Sequence, residues 1–171
     1  MTLPLIRPLV LLDFDDVCCI NSPYGGYDVF APDPPPDLWR RLFHPPAVEV
    51  LNDVHKAFRP RWVLTTSWLR FMDRRMAITV LGRGGLGCVA LNLHEHWDAE
   101  QLHGEDRATA ILRWMSKHHE GEPYVILDDE ESGTGLAAST WHRSGNVVLC
   151  REGVGLHAEH HPLIKRALSA D

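Results

Sequence analysis

At 171 residues and 19.4 kDa the chain has the size of one globular domain and is read as a single domain over residues 1–171. With 44% apolar and 23% charged residues, its composition excludes the disordered, collagen-like and coiled-coil classes. Seventeen basic residues against 23 acidic ones leave a net charge of −6, so the chain lacks the basic footprint of a protein that grips duplex nucleic acid through many phosphates.

No apolar run approaches the roughly 18–20 residues that cross a bilayer, and the opening MTLPLIRPLVLLDFDD turns acidic where a signal peptide would offer a small-residue cleavage site. The expectation is a soluble, cytoplasmic protein with no membrane partner. Cys18, Cys19, Cys88 and Cys150 form no CxxC pair and are expected to be free, largely buried thiols.

In chain order, the apolar run Leu9 to Leu12 stops at Asp13-Phe14-Asp15-Asp16, as a buried parallel strand does on reaching the edge of its sheet. Residues 18–46, rich in Pro, Gly and Asp, read as a loop insertion with at most a short helix near Leu38–Phe43. Val48, Leu51, Val54 and Phe58 recur at helical spacing, which predicts a helix over 47–58 that Pro60 ends. Trp62 to Thr66 is a second strand, and a helix is expected over 67–81, ending at the glycines from Gly82 to Gly87. Cys88 to Leu93 reads as a further strand or extended piece. Ala108, Ile111, Leu112 and Met115 then put an apolar stripe on a helix over 105–118. Tyr124 to Leu127 is a strand that stops at Asp128-Asp129, Asn146 to Cys150 is the last strand, and Pro162 to Ala170 is a closing helix with Leu163, Ile164 and Leu168 inward. This alternation describes an α/β fold, a doubly wound and mostly parallel sheet.

In such a sheet all strand ends lie along one edge, the edge where α/β proteins build their sites. Here that edge gathers Asp13 and Asp15, Asp128 and Asp129, and the hydroxyls of Thr65, Thr66 and Ser67. Four carboxylates brought together raise one another's pKa unless a cation neutralises them. A few hard oxygen ligands of this kind suit Mg²⁺. Two carboxylates two residues apart can divide the labour, one attacking phosphorus and the other protonating the leaving oxygen. The strand-end hydroxyls would bind phosphoryl oxygens, and a cation would offset charge on the transferring group.

Asp13-Phe14-Asp15-Asp16-Val17, the strand-end Thr66, a basic residue at the start of a later helix and Asp128-Asp129 occur in the order found in the haloacid dehalogenase (HAD) superfamily, which residues 9 to about 130 resemble. The resemblance implies a HAD-like Rossmannoid fold and a phosphatase with a phosphorylated substrate. It implies Asp13 as nucleophile and Mg²⁺ ligand, and Asp15 as general acid/base with its backbone carbonyl on the metal. Thr66, with Thr65 as the alternative register, is implied as the phosphate-binding hydroxyl, and Asp129 as the acid that completes the metal site with Asp128 in support. Arg107 stands where the family usually has Lys, with Lys117 as the fallback, and Asp16 stands where many relatives have Gly. Segments such as Phe43-His44-Pro45-Pro46 are similar to small HAD domains with almost no cap, including those of RNA-repair proteins, and residues 18–46 are too few for a large cap.

Arg107 and Asp16 also motivate a second reading, a HAD-fold binding or regulatory module with weak or no turnover. A third, a nucleic-acid-end phosphatase, would need a basic groove, for which Arg40, Arg41, Arg70, Arg74 and Arg75 are candidates. Gly82 to Gly87 matches Gly-x-Gly-x-x-Gly but follows a helix, so a helix-ending turn is expected rather than a dinucleotide site. The eleven histidines are expected at the surface, with His157 or His160 near the site edge. Trp68 is expected to wall the site and Trp39 to shape substrate access.

Overall fold

The computed structural model describes residues 6–169. Its elements are β1 (Leu9–Leu12), α1 (Gly26–Val29), α2 (Leu38–Arg41), α3 (Pro45–Phe58), β2 (Arg61–Leu64), α4 (Arg74–Arg83), α5 (Gly87–Ala90), β3 (Leu93–Asp98), α6 (Arg107–His118), β4 (Tyr124–Asp129), α7 (Thr134–Ala137), α8 (Thr140–Arg143), β5 (Val147–Cys150) and α9 (His161–Leu168), with 3₁₀ turns at Ser67–Arg70 and Ala158–His160. The strands form one sheet in the order β3-β2-β1-β4-β5, and every pairing is parallel.

Alternation along the central strands builds a core on each face of the sheet. Val10 and Leu12 of β1, Leu64 of β2 and Val125 and Leu127 of β4 face the core completed by α3, α4, α5 and α9. Leu9, Leu11, Val63 and Ile126 face the other, completed by Ile111, Trp114 and Met115 of α6 and Leu136 of α7. The chain runs outward from β1 through β2 to β3, then returns past β1 to β4. This puts the topological switch point between the C-terminal ends of β1 and β4, where open α/β sheets place their ligands.

The α/β reading holds, with corrections in detail. Cys88 to Leu93 is not a strand. Leu86, Val89 and Ala90 are buried at positions 0, 3 and 4, a helical spacing, and Gly87–Ala90 forms α5. The third strand instead begins at Leu93 and runs through the mostly polar His94-Glu95-His96-Trp97-Asp98 at the sheet edge. The helix expected over 67–81 divides into a 3₁₀ turn and α4, because Asp73 caps a fresh start by accepting from the Met76 N–H at 2.8 Å. On α6 the inward face is Ala110, Ile111, Trp114 and Met115, and Leu112 is 57% exposed. On α9 Leu163 is 44% exposed where an inward residue was expected, and Ala170 lies outside the described residues, as do residues 1–5 of the opening segment. The 18–46 segment contains α2, as expected, and also α1, which its composition concealed.

Among the described residues no helix is long and apolar enough to cross a membrane. All four cysteines are free. Burial pushes the Cys19 and Cys150 thiols up to about 12, so they are unreactive core residues.

Candidate active site

Asp13 follows directly on β1, and its backbone N–H donates to the Leu127 carbonyl at 3.0 Å, which ties the end of β1 to β4. Its carboxylate is 1% exposed, and neither oxygen has a hydrogen-bond partner. Asp128 and Asp129 end β4 and are equally buried. One oxygen of each is spoken for by backbone: Asp128 Oδ1 accepts from the Asp129 N–H at 2.9 Å, and Asp129 Oδ1 accepts from Glu131 and Ser132 N–H groups at 2.9 and 2.8 Å. The other oxygen of each, Oδ2, is buried without a hydrogen bond. Asp13, Asp128 and Asp129 each offer an oxygen within 4.8 Å of the others.

Unpaired buried carboxylate oxygens are costly, so such a cluster calls for positive charge. Arg107 supplies part of it. It is the first residue of α6, whose start is fixed by Asp106 accepting from the Thr109 N–H at 2.7 Å, and it is buried. Its Nη1 lies 3.1 Å from Asp13 Oδ1, an ion pair without hydrogen-bond alignment, and 3.6 Å from Asp128 Oδ2, while donating to the Thr65 carbonyl. Burial pushes Asp13 up to about 6 against the pull of Arg107, and burial together with the Asp13 charge pushes Asp128 well above the usual range. Burial pulls Arg107 down, but Asp13 and Asp128 outweigh it and hold the guanidinium above its ordinary value. The remaining free oxygens are hard and anionic, the donor chemistry of a site for a divalent cation.

The first-strand motif splits in two. After β1 the N–H groups of Val17, Cys18 and Cys19 all donate to the Phe14 carbonyl, a tight turn that carries Asp15 away from the buried cluster. The Asp15 side chain accepts from Trp68 Nε1 at 3.0 Å, Asn21 Nδ2 at 3.2 Å and Ser67 Oγ at 3.4 Å. Three carboxylate side chains therefore converge, with the fourth held at the rim. Asp16 takes a left-handed φ of 56°, a conformation in which Gly is the common choice and Asp is tolerated. Its Oδ1 accepts from the Gly153 N–H at 2.8 Å, and the Leu156 N–H donates to the Val17 carbonyl at 2.8 Å, so the segment after β5 clamps this turn.

Thr65 and Thr66 lie just beyond β2 and are buried. The Thr65 hydroxyl has no partner, whereas Thr66 Oγ1 accepts from the Trp68 N–H at 3.3 Å and caps the 3₁₀ turn. Ser67 is exposed beside Asp15.

Asp15, Asn21, Trp68 and Arg70 line a cavity of about 630 Å³ together with Gly26, Tyr27, Phe30, Ser67 and Phe71. Trp68 thus walls the site as expected. Trp39 does not; it packs against the core under the Arg83 guanidinium, 5.3 Å from its ring centroid. Of the five candidates for a basic groove Arg70 lines this cavity, while Arg74 donates to the His94 and Glu95 carbonyls and Arg41 pairs with Asp37 at 3.4 Å. Lys117 sits ten residues along α6 from Arg107, about 15 Å at a helical rise, and is exposed. Gly82 to Gly87 closes α4, and Gly85 has a φ of 89°, the helix-ending turn foreseen. His157 and His160 serve a 3₁₀ turn, the His157 N–H donating to His160 Nδ1 at 3.1 Å, and His94 is buried rather than at the surface. Asn21 was missed: an Asn with φ of 55° in a Pro- and Gly-rich stretch is a turn signal whose side-chain target the sequence cannot show.

A cluster of carboxylates at the switch point of a parallel sheet, with a further acid two residues beyond the first, is the arrangement that the HAD resemblance implies. A family model described as the HAD domain in Swiss Army Knife RNA repair proteins matches residues 9–161. The chain belongs to that family and so to the HAD superfamily. No curated protein and no solved structure matches the chain.

Proposed function

We propose that the protein is a Mg²⁺-dependent phosphomonoester hydrolase working through an aspartyl-phosphate on Asp13. The observation that carries this reading is the Asp13 carboxylate: buried at the switch point, with both oxygens free of hydrogen bonds and Arg107 at ion-pair distance. A carboxylate so placed is poorly solvated, hence a stronger nucleophile, and the Arg107 charge beside it favours its ionised form. Asp13 attacks phosphorus while the ester oxygen departs and takes a proton from Asp15. Asp15 then removes a proton from water, which attacks the same phosphorus and releases Asp13 and inorganic phosphate. Trp68, Asn21 and Ser67 hold Asp15 in place for both transfers. Thr66, Thr65 and Arg107 stabilise the phosphoryl oxygens. Mg²⁺ held by Asp13, Asp128 and Asp129, and by the Asp15 carbonyl that the family resemblance implies, would neutralise charge on the transferring group.

The family's setting in RNA repair extends the proposal to phosphorylated ends of RNA. Asp13→Asn keeps the shape of the side chain and removes the nucleophile. Phosphate release from a panel of nucleotides, sugar phosphates, phosphopeptides and phosphorylated oligonucleotide ends should require Mg²⁺ in the wild type and fall at least ~10³-fold in the variant. Silence across the panel in folded protein that binds Mg²⁺ would instead support the binding or regulatory module.

A further inference from the structure

The cavity beside Asp15 is walled by aromatic rings. Phe30 stands edge-on to Trp68 with centroids 6.1 Å apart and tilts against Phe71 at 6.0 Å, so the three rings form one continuous surface. Trp68 is buried, but Phe71 is 73% exposed and Tyr27 is 98% exposed. Two large rings left in water around one cavity, next to the proposed general acid, mark a surface built to be covered.

We propose that this groove is the leaving-group subsite and takes one unpaired nucleobase, so that the substrate is the phosphate of a terminal nucleotide; the inference rests on the hydrolase reading above. A base offers a flat π face to Phe71 or Tyr27, and such stacking tolerates any base. A volume of about 630 Å³ holds a nucleoside and is far more than a phenyl ring fills. Arg70 and the Tyr27 hydroxyl offer polar partners to a base edge, which a phenyl group cannot use. Arg70 is also the one cation among the lining residues, so the groove does not track a chain of phosphates and recognition is confined to the end. In the reaction the nucleoside oxygen receives the Asp15 proton as its bond to phosphorus breaks, and the base leaves with it.

The test compares adenosine 5′- and 3′-monophosphates with ribose 5-phosphate, which lacks the base, and with phenyl phosphate, a ring without polar edges. It measures kcat/KM with Mg²⁺ and, separately, calorimetric affinity with the metal chelated. The proteins are the wild type, Phe71→Ala, Tyr27→Ala and Leu112→Ala, the last removing an exposed apolar side chain from α6. One or both adenosine monophosphates should be preferred to ribose 5-phosphate by about 10-fold or more in both readouts, the scale of one stacked base. That preference should shrink toward parity in Phe71→Ala and Tyr27→Ala and persist in Leu112→Ala. Indifference to the base, a preference for phenyl phosphate over both nucleotides, or a base preference that survives both truncations overturns the proposal. Turnover indifferent to the base sinks the groove and leaves the hydrolase standing. Base-dependent affinity without turnover on any substrate upholds the groove and sinks the hydrolase.

Discussion

Arg107 is buried beside two buried carboxylates, Asp13 and Asp128, and neither burial makes sense without the other. Removing the guanidinium strands Asp13 and Asp128 in a dry site, the circumstance in which breaking an ion pair costs most. Arg107→Ala should therefore cost about 3–5 kcal/mol in urea unfolding. Arg107→Lys should recover part of that, since an ammonium restores the charge but not a fork that reaches the Thr65 carbonyl as well. A loss in Arg107→Ala below about 1 kcal/mol, the worth of an exposed pair, would show the cluster to be wetter than it looks. At this scale the sequence was informative where chemistry meets a strand end. Asp13, Asp128, Asp129 and Arg107 converge as the motif order implied. The exposed faces of Tyr27 and Phe71 were illegible, because an aromatic residue reads as core until its surroundings are known.

Helices and strands were legible to the degree that their apolar spacing was clean. The central strands are buried on both faces and read as unbroken apolar runs, whereas β3, at the edge and largely polar, gave no such signal. On α6 the presence of the helix was clear and its rotation was not, since Leu112 fits an apolar stripe as well as Trp114 does until the sheet selects a face. The two residues separate that choice experimentally. Ile111→Ala, in the core, should lose about 2–5 kcal/mol through the cavity it leaves. Leu112→Ala should stay within about 0.5 kcal/mol. Equal losses in urea unfolding would mean that α6 presents a different face to the sheet. The clamp on the turn after β1 was likewise beyond the sequence, because it joins Asp16 to Gly153 across 137 residues. Gly155, φ 74°, lets that clamp close: a Cβ there would sit 2.9 Å from the Val17 carbonyl oxygen.

For the molecule as a whole, net charge and site charge act at different ranges. The chain carries a net −6 overall, and the structure concentrates anionic oxygen at one point of the sheet edge and leaves it short of cations. That shortage makes stability depend on pH in a defined direction. Asp13 has a folded pKa near 6 against 3.8 for the free side chain, so between those values the folded state keeps a proton that the unfolded chain has lost. More protons on the folded state means that stability falls as pH rises through the window, and Asp128, shifted in the same direction by burial and the Asp13 charge, acts in the same sense. Histidines act in the opposite sense. Burial lowers His44, His55, His94 and His160, so their contribution rises toward pH 6.5 and would mask the carboxylates in the wild type alone. The difference between wild type and Asp13→Asn removes the histidines from both sides. With metal chelated, wild-type stability relative to Asp13→Asn should decline from about pH 4 to about pH 6, as read from urea midpoints. Saturating Mg²⁺ should reverse the decline, because a cation that binds the folded wild type and needs Asp13 stabilises only that protein. A difference that is flat across the window, or unmoved by Mg²⁺, would leave Arg107 as sufficient compensation for the cluster and remove the ground for a metal there.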